Sequence, residues 1–213
     1  LNTPKFPAVP GIHKFKGHKF HTSRWDYEYT GGEWGNPELT KLAETTYRDV
    51  NIAFANELSL ICESLKLDVW EVIEMANRHP RVNILTPGPG VGGHCIAVDP
   101  WFIVDSDPEN ARLIRTAREV NDGKAHYVFA RTAALADAHP DAAIACLGLS
   151  FKANIDDLRE SPALEIAIEL AKKYGDRVRV VEPHVDALPP AFDGTGATKV
   201  TLDQALDDCE VLV

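Results

Sequence analysis

Residues 142–181 read AAIACLGLSFKANIDDLRESPALEIAIELAKKYGDRVRVV, and this run decides the fold. Ala142–Gly148 is a short apolar run closed by a glycine, the pattern of a buried strand. Residues 161–174 place apolar side chains at helical spacing. Arg177–Val181 is a second strand, residues 201–207 a short helix and Glu210–Val213 a third strand. Strand, helix, strand, helix, strand predicts a parallel, Rossmann-like sheet. The loop 148–162 leaves the carboxyl edge of the first strand, where such sheets bind ligands. Lys152 and Arg159 are its natural anion binders; the alternative is a solvated loop. The GTGAT at 194–198 follows a proline-rich loop rather than a strand and reads as a turn.

Upstream of that sheet the period is helical. Leu39, Leu42, Ala43, Thr46, Val50, Ala53, Phe54, Glu57 and Ile61 fall near one face of a helix over 37–66. Pro37 suits an early helical position, with Asn36 as N-cap. Roughly 28 residues make it about 40 Å long. Lys41, Thr45 and Arg48 stand at i, i+4 and i+7 as a narrow polar stripe, which on spacing alone is a solvated face. A shorter helix over 68–80 starts at Asp68 and ends in Asn77-Arg78-His79-Pro80-Arg81. Those cations either complement the helix dipole or form an anion cradle. Residues 108–138 are helical again, with Leu113, Ile114, Ala117, Val120, Val128, Phe129 and Leu135 as apolar positions, and His139-Pro140 ends them. The fold class is therefore α/β: an all-α central domain with a long helix, 37–138, then a partial Rossmann-like parallel domain, 139–213.

Between the helices lies Pro87–Pro100, PGPGVGGHCIAVDP, with four glycines and three prolines around Cys95. Such density marks a loop whose backbone comes close to something. A cysteine and a carboxylate, Asp99, held by it look like chemistry rather than packing. Cys62, Cys146 and Cys209 lie in apolar runs and read as small buried hydrophobes.

Residues 1–36 differ from the rest. They hold 7 of the 17 aromatic residues and carry five Lys/Arg against three Asp/Glu, whereas the whole chain has net charge −10. Pro4, Pro7 and Pro10 argue for extended chain. His13, His18 and His21 lack a carboxylate or cysteine to complete a metal site, so no metal is expected. The acidic balance argues against a nucleic-acid partner. No run approaches the roughly 18 apolar residues that span a bilayer, and no signal peptide shows. Wide cysteine spacings without CxxC fit a reducing cytoplasm.

The strings KLAETTYRDVNIAFANELSLICE, ANRHPRVNILTPGPGVGGHCIAVDPWFIV, ARLIRTAREVND and GLSFKANIDDLRESPALEIA resemble the UDP-glucose/GDP-mannose dehydrogenase family, in order, from about residue 37 to 213. NRHPRVNI and GGHCIAVDPWFI look most like its UDP-N-acetyl-D-mannosamine branch. The resemblance implies oxidation of a sugar C6 alcohol by NAD, through an aldehyde, to a carboxylate. Cys95 matches the nucleophile that captures the aldehyde as a thiohemiacetal and later carries a thioester. Lys41 matches the lysine that moves protons and steadies the oxyanion. Asp99 matches the aspartate that helps activate water. Thr45 takes a position the family usually fills with Asn, which leaves one substrate hydrogen bond open. Arg48, His79, Arg81 and Gly92 match substrate-contacting positions, Lys152 a UDP-contacting lysine and Arg159 an arginine that reaches NAD.

In the family an NAD-binding domain with a GxGxxG fingerprint precedes the long helix, and that helix lies at a dimer interface. Here residues 1–36 resemble instead a segment of Baeyer–Villiger-type flavin monooxygenases, without a fingerprint. The expectation is thus a nucleotide-sugar 6-dehydrogenase fragment whose last domain is cut short. The competing expectation is a homodimeric, UDP-sugar-binding module without catalysis.

Overall fold

The computed structural model describes residue 16 and residues 37–213. The expectations for the extended segment, for Asn36 as a cap and for His13, His18 and His21 lie outside the described residues. The long helix is present as α1, Pro37–Leu65. Helix α2, Val69–Asn77, is capped by Asp68, whose carboxylate accepts from Trp70 N at 2.7 Å. Helix α3, Asp99–Ser106, is separate from α4, Arg112–Ala138. Two expectations change here. The helix foreseen over 108–138 starts at Arg112, and Asp99 opens a helix instead of lying inside the glycine loop. The eight residues of α3, DPWFIVDS, are too few and too evenly apolar to show a period.

After α4 the chain alternates β1 Ala143–Leu147, α5 Pro162–Tyr174, β2 Val178–Val181, β3 Thr198–Lys199, α6 Leu202–Asp208 and β4 Cys209–Leu212. The four strands are parallel in the order β3-β2-β1-β4. Ile144 pairs with Val178 and Cys146 with Val180. The turn expected at 194–198 therefore ends in a two-residue edge strand, too short to register in sequence. The capping box of Thr201 and Gln204 starts α6.

The apolar core belongs to the sheet. Ile144, Leu149, Leu170, Val178 and Val180 are fully buried, and Ala125 and Ala136 of α4 close over them. Burial pushes the Cys146 thiol up to about 12, with Cys209 adding to the shift, so Cys146 acts here as packing. Helix α4 is the shared spine: it packs on α1 and α3 and also on α5 and β4.

The helical half buries a different chemistry. Alpha1 buries Thr46, Asp49, Ala53 and Asn56, and α4 buries Ala117, Arg118, Asn121 and Lys124. Several expected apolar positions are exposed instead: Leu39, Phe54, Ile61, Leu113 and Leu135. Tyr47, Phe54 and Ile61 stand seven residues apart as an uncovered seam along α1.

Candidate functional site

Cys95 sits in the turn that leads into α3, with its side chain exposed. Its carbonyl accepts from Val98 N at 3.1 Å and Asp99 N at 2.7 Å, so the turn and the helix start are one hydrogen-bonded unit. Asp99 is half-buried at the first turn of α3, and α3 packs against α1, the helix that carries Lys41. Lys41 and Arg48 are exposed. Among the described residues, no hydrogen bond or ion pair joins Lys41, Cys95 and Asp99 to one another. The Thr45 hydroxyl is turned onto its own helix, donating to the carbonyls of Leu42 at 3.0 Å and Lys41 at 3.2 Å.

The cationic end of α2 is divided. Arg78 pairs with Glu74 on the surface at 3.3 Å. The His79 ring accepts from Arg81 N at 3.2 Å through Nδ1. Both His79 and Arg81 are exposed.

The glycines of the cysteine loop meet the protein itself. A Cβ added at Gly92 would lie 2.5 Å from the Glu160 carbonyl oxygen, 2.5 Å from the Phe151 Cβ and 2.9 Å from Pro162. Gly93, at φ +88°, faces the Phe151 ring. The close approach expected from the glycine run is therefore to the 148–162 loop. That contact brings Cys95 and the Lys152–Arg159 loop together across more than fifty residues of sequence. Lys152 itself is exposed. Arg159 is held by Asp157, Nε to Oδ1 at 2.8 Å and Nη2 to Oδ2 at 2.6 Å. This bidentate pair holds the Asp157 carboxyl down at about 2.

A cavity of about 370 Å³ lies at the carboxyl end of β1, walled by Pro89 of the cysteine loop and by Leu147, Gly148 and Ala163. A larger cleft of about 730 Å³ opens between α3, α4 and α5. Asp122, Glu160, Glu165 and Glu169 line it, and its cations Arg118 and Lys172 are already paired. That lining repels a diphosphate, whereas the β1 edge is where parallel sheets take nucleotides.

Beneath the loop runs a buried polar chain that sequence reading missed. Asn56 accepts from Gly88 N at 2.8 Å and donates to Asn121 Oδ1 at 2.9 Å. Asn121 donates to Asp49 Oδ1 at 2.8 Å, and Arg118 donates to the same oxygen at 2.6 Å. Arg118 also pairs with Asp122. Burial pushes the Asp49 carboxyl up, and Arg118 and Asn121 recover only part of that shift. Thr46 Oγ1, Asp49 Oδ2 and Arg118 Nε are buried without a partner among the described residues. The sequence signal was present as polar residues at i, i+3 and i+10 from Thr46, with Ala53 at i+7, but amphipathic analysis tracks apolar residues only. Among the described residues, no group of three His, Cys, Asp or Glu could hold a metal ion. No helix among them is long and apolar enough to cross a membrane.

A parallel sheet of the nucleotide-binding type thus meets a long-helix half at the glycine loop. Residues 36–123 match the central domain of the UDP-glucose/GDP-mannose dehydrogenase family, and residues 145–213 match its UDP binding domain. The chain belongs to that family. It is 60% identical over 176 residues to the NDP-N-acetyl-D-galactosaminuronic acid dehydrogenase of Ralstonia nicotianae, covering 83% of this chain and 41% of that protein. It is 59% identical over 184 residues to the UDP-N-acetyl-D-mannosamine dehydrogenase of Salmonella typhi, covering 83% and 44%. Among solved structures, the UDP-N-acetyl-mannosamine dehydrogenase Cap5O from Staphylococcus aureus aligns with TM-score 0.62 at 53% identity, over 69% of this chain and 35% of that one. A UDP-glucose dehydrogenase from Pyrobaculum islandicum aligns with TM-score 0.66 at 28% identity, over 83% and 42%. The chain thus spans less than half the length of these relatives.

Proposed function

We propose that this chain supplies the substrate side of an NAD-dependent nucleotide-sugar 6-dehydrogenase that oxidises the C6 alcohol of UDP-N-acetyl-D-mannosamine to the uronate in the cytoplasm. The observation that carries the reading is the seat of Gly92 and Gly93 on Phe151. It sets the exposed thiol of Cys95 beside the loop that bears Lys152. In this reading Lys152 and the carboxyl edge of β1 hold the UDP. Arg48, His79, Arg81 and the backbone at Gly92 contact the rest of the substrate, and Thr45 lines the same face of α1 with its hydroxyl bonded back to the helix. Cys95 attacks the C6 aldehyde and forms a thiohemiacetal; loss of a hydride from C6 to the acceptor and of the hydroxyl proton would leave the thioester that water opens. Lys41 takes the alcohol proton and steadies the oxyanion, and Asp99 orients the water.

When bound, NAD supplies the hydride acceptor. The described residues offer it one group, the Arg159 guanidinium, whose Nη1 has no protein partner among them. The amides at the root of the β1 loop, which a pyrophosphate would need, already serve Glu182. A diphosphate at this edge, whether of UDP or of NAD, therefore relies on side chains such as Lys152 rather than on those amides.

Titration calorimetry with UDP tests the nucleotide site. The parent chain binds UDP, and Lys152→Ala weakens binding about tenfold through loss of one charge-assisted contact to phosphate. Unchanged affinity in that variant would remove Lys152 from the site.

A second reading, a dimeric UDP-sugar-binding module, draws on the match of residues 145–213 to the UDP binding domain and on the exposed seam of α1. UDP-sugar binding without NADH formation in the presence of NAD would select it. In both readings the chain is a homodimer through α1. The Tyr47, Phe54 and Ile61 seam repeats every seven residues, as a helix–helix contact requires. Phe54→Glu should convert the dimer to a monomer in sedimentation. A monomeric parent chain would refute this use of the seam.

A further inference from the structure

Glu182 directly follows β2 and is 3% exposed. Its carboxylate is cradled by main-chain amides. Oε2 accepts from Leu149 N at 2.8 Å and Oε1 from His184 N at 3.0 Å, and the Ser150 amide acts on the same carboxylate. Burial pushes the carboxyl up, yet these amides outweigh it and hold it below the ordinary glutamate value. In dinucleotide-binding sheets an acid near the end of the second strand takes the ribose hydroxyls. Glu182 cannot serve that way, because both its oxygens are engaged and its side chain is enclosed.

What the carboxylate holds is the root of the 148–162 loop. Leu149 and Ser150 are the first residues after Gly148. The far end of the loop is tied to the same point, since Ser161 Oγ donates to the Leu149 carbonyl at 2.6 Å. Ser150 Oγ donates to the Ile155 carbonyl at 2.8 Å and shapes the middle. Phe151 follows directly and abuts Gly92 and Gly93, and Lys152 comes next. One carboxylate just past the neighbouring strand therefore fixes the start of the segment that meets the cysteine loop. A neutral side chain would not replace it: an amide offers one acceptor oxygen, and its NH₂ group would face a backbone donor.

We propose that Glu182 is a positioning residue, whose amide-cradled carboxylate fixes the root of the 148–162 loop and so sets both Lys152 over the nucleotide and Phe151 against Gly92 and Gly93. The nucleotide part rests on the reading of Lys152 as a UDP contact. The Phe151 part does not.

The test uses Glu182→Gln in the 213-residue chain, with amide hydrogen exchange and UDP calorimetry. Exchange at Leu149 and Ser150 should speed up by about tenfold or more, with Gly92 and Gly93 following, while amides of α1 stay at the parent rates. UDP affinity should fall about tenfold, and Glu182→Gln combined with Lys152→Ala should bind no more weakly than Lys152→Ala alone. Independent, multiplying losses would overturn the proposal, as would unchanged exchange at Leu149 and Ser150. If the parent chain binds no UDP, the substrate reading fails by itself. The exchange at Gly92 and Gly93 then decides: acceleration supports the clamp and parent rates overturn it. Should Glu182→Gln not fold, Glu182→Asp keeps the charge with a shorter reach, and the same measurements apply to it.

Discussion

Gly92→Ala is expected to destabilise the chain by about 3 kcal/mol, at the upper end of the range for forced overpacking. A Cβ there would stand 2.5 Å from the Glu160 carbonyl oxygen and 2.5 Å from the Phe151 Cβ. Neither is the far end of a flexible side chain, so the loops must separate rather than adjust. For a chain of this size the loss corresponds to a melting-point drop of roughly 6–12 °C. The seat that carries the proposed site opens with it, so UDP affinity should fall in the same variant. Gly88→Ala is the matched control. No atom of the described residues lies within 4 Å of its added Cβ. Its amide still donates to Asn56, so stability should stay within about 0.5 kcal/mol of the parent. Thermal melting of the two variants side by side checks this. Equal melting points would mean that the loops do not touch.

Arg118→Ala is expected to cost about 3–5 kcal/mol, the cost of breaking a buried ion pair from one side. Arg118 is 2% exposed and Asp49 0%, so water cannot replace the lost partner. Asp49 would keep Asn121 as its hydrogen-bond donor, but no cation. The carboxyl of Asp49 is raised even with Arg118 in place, which says that the pair does not repay its own desolvation. The double variant Asp49→Leu/Arg118→Met should therefore be much closer to the parent in stability than either single variant. Denaturant titrations of the four proteins measure the coupling. Losses that add would contradict the pairing. The sign of the pH effect also follows. A carboxyl raised on folding binds protons more tightly in the native state. Its contribution therefore destabilises the fold as pH rises from the ordinary aspartate value through the raised one.

The sheet half was legible because its strands are short apolar runs and its helices are amphipathic around an apolar core. Ile144, Val178 and Leu170 are buried as the pattern demands. The Asp68 cap was equally readable from local chemistry. The helical half resisted for a physical reason: its buried seam is made of Thr46, Asp49, Asn56, Arg118 and Asn121, while Tyr47, Phe54 and Ile61 face outward. A method that equates apolar with buried inverts such helices. The cysteine loop announced itself by composition, but not what its glycines approach, because Phe151 and Pro162 come from a distant loop. Glu182 gave no local signal, since its role is defined by amides more than thirty residues away.

The central claim is that Cys95 stands where the sugar of a bound UDP-sugar arrives. Site-resolved alkylation by iodoacetamide tests it most directly, because Cys95 is exposed while Cys62 and Cys146 are buried. Saturating UDP-N-acetyl-D-mannosamine should slow modification of Cys95 by at least about tenfold and leave Cys209 unaffected, with UDP alone protecting less. Lys152→Ala should raise the concentration needed for half protection. Modification of Cys95 at the same rate with and without the UDP-sugar, under conditions where calorimetry shows binding, would contradict the account.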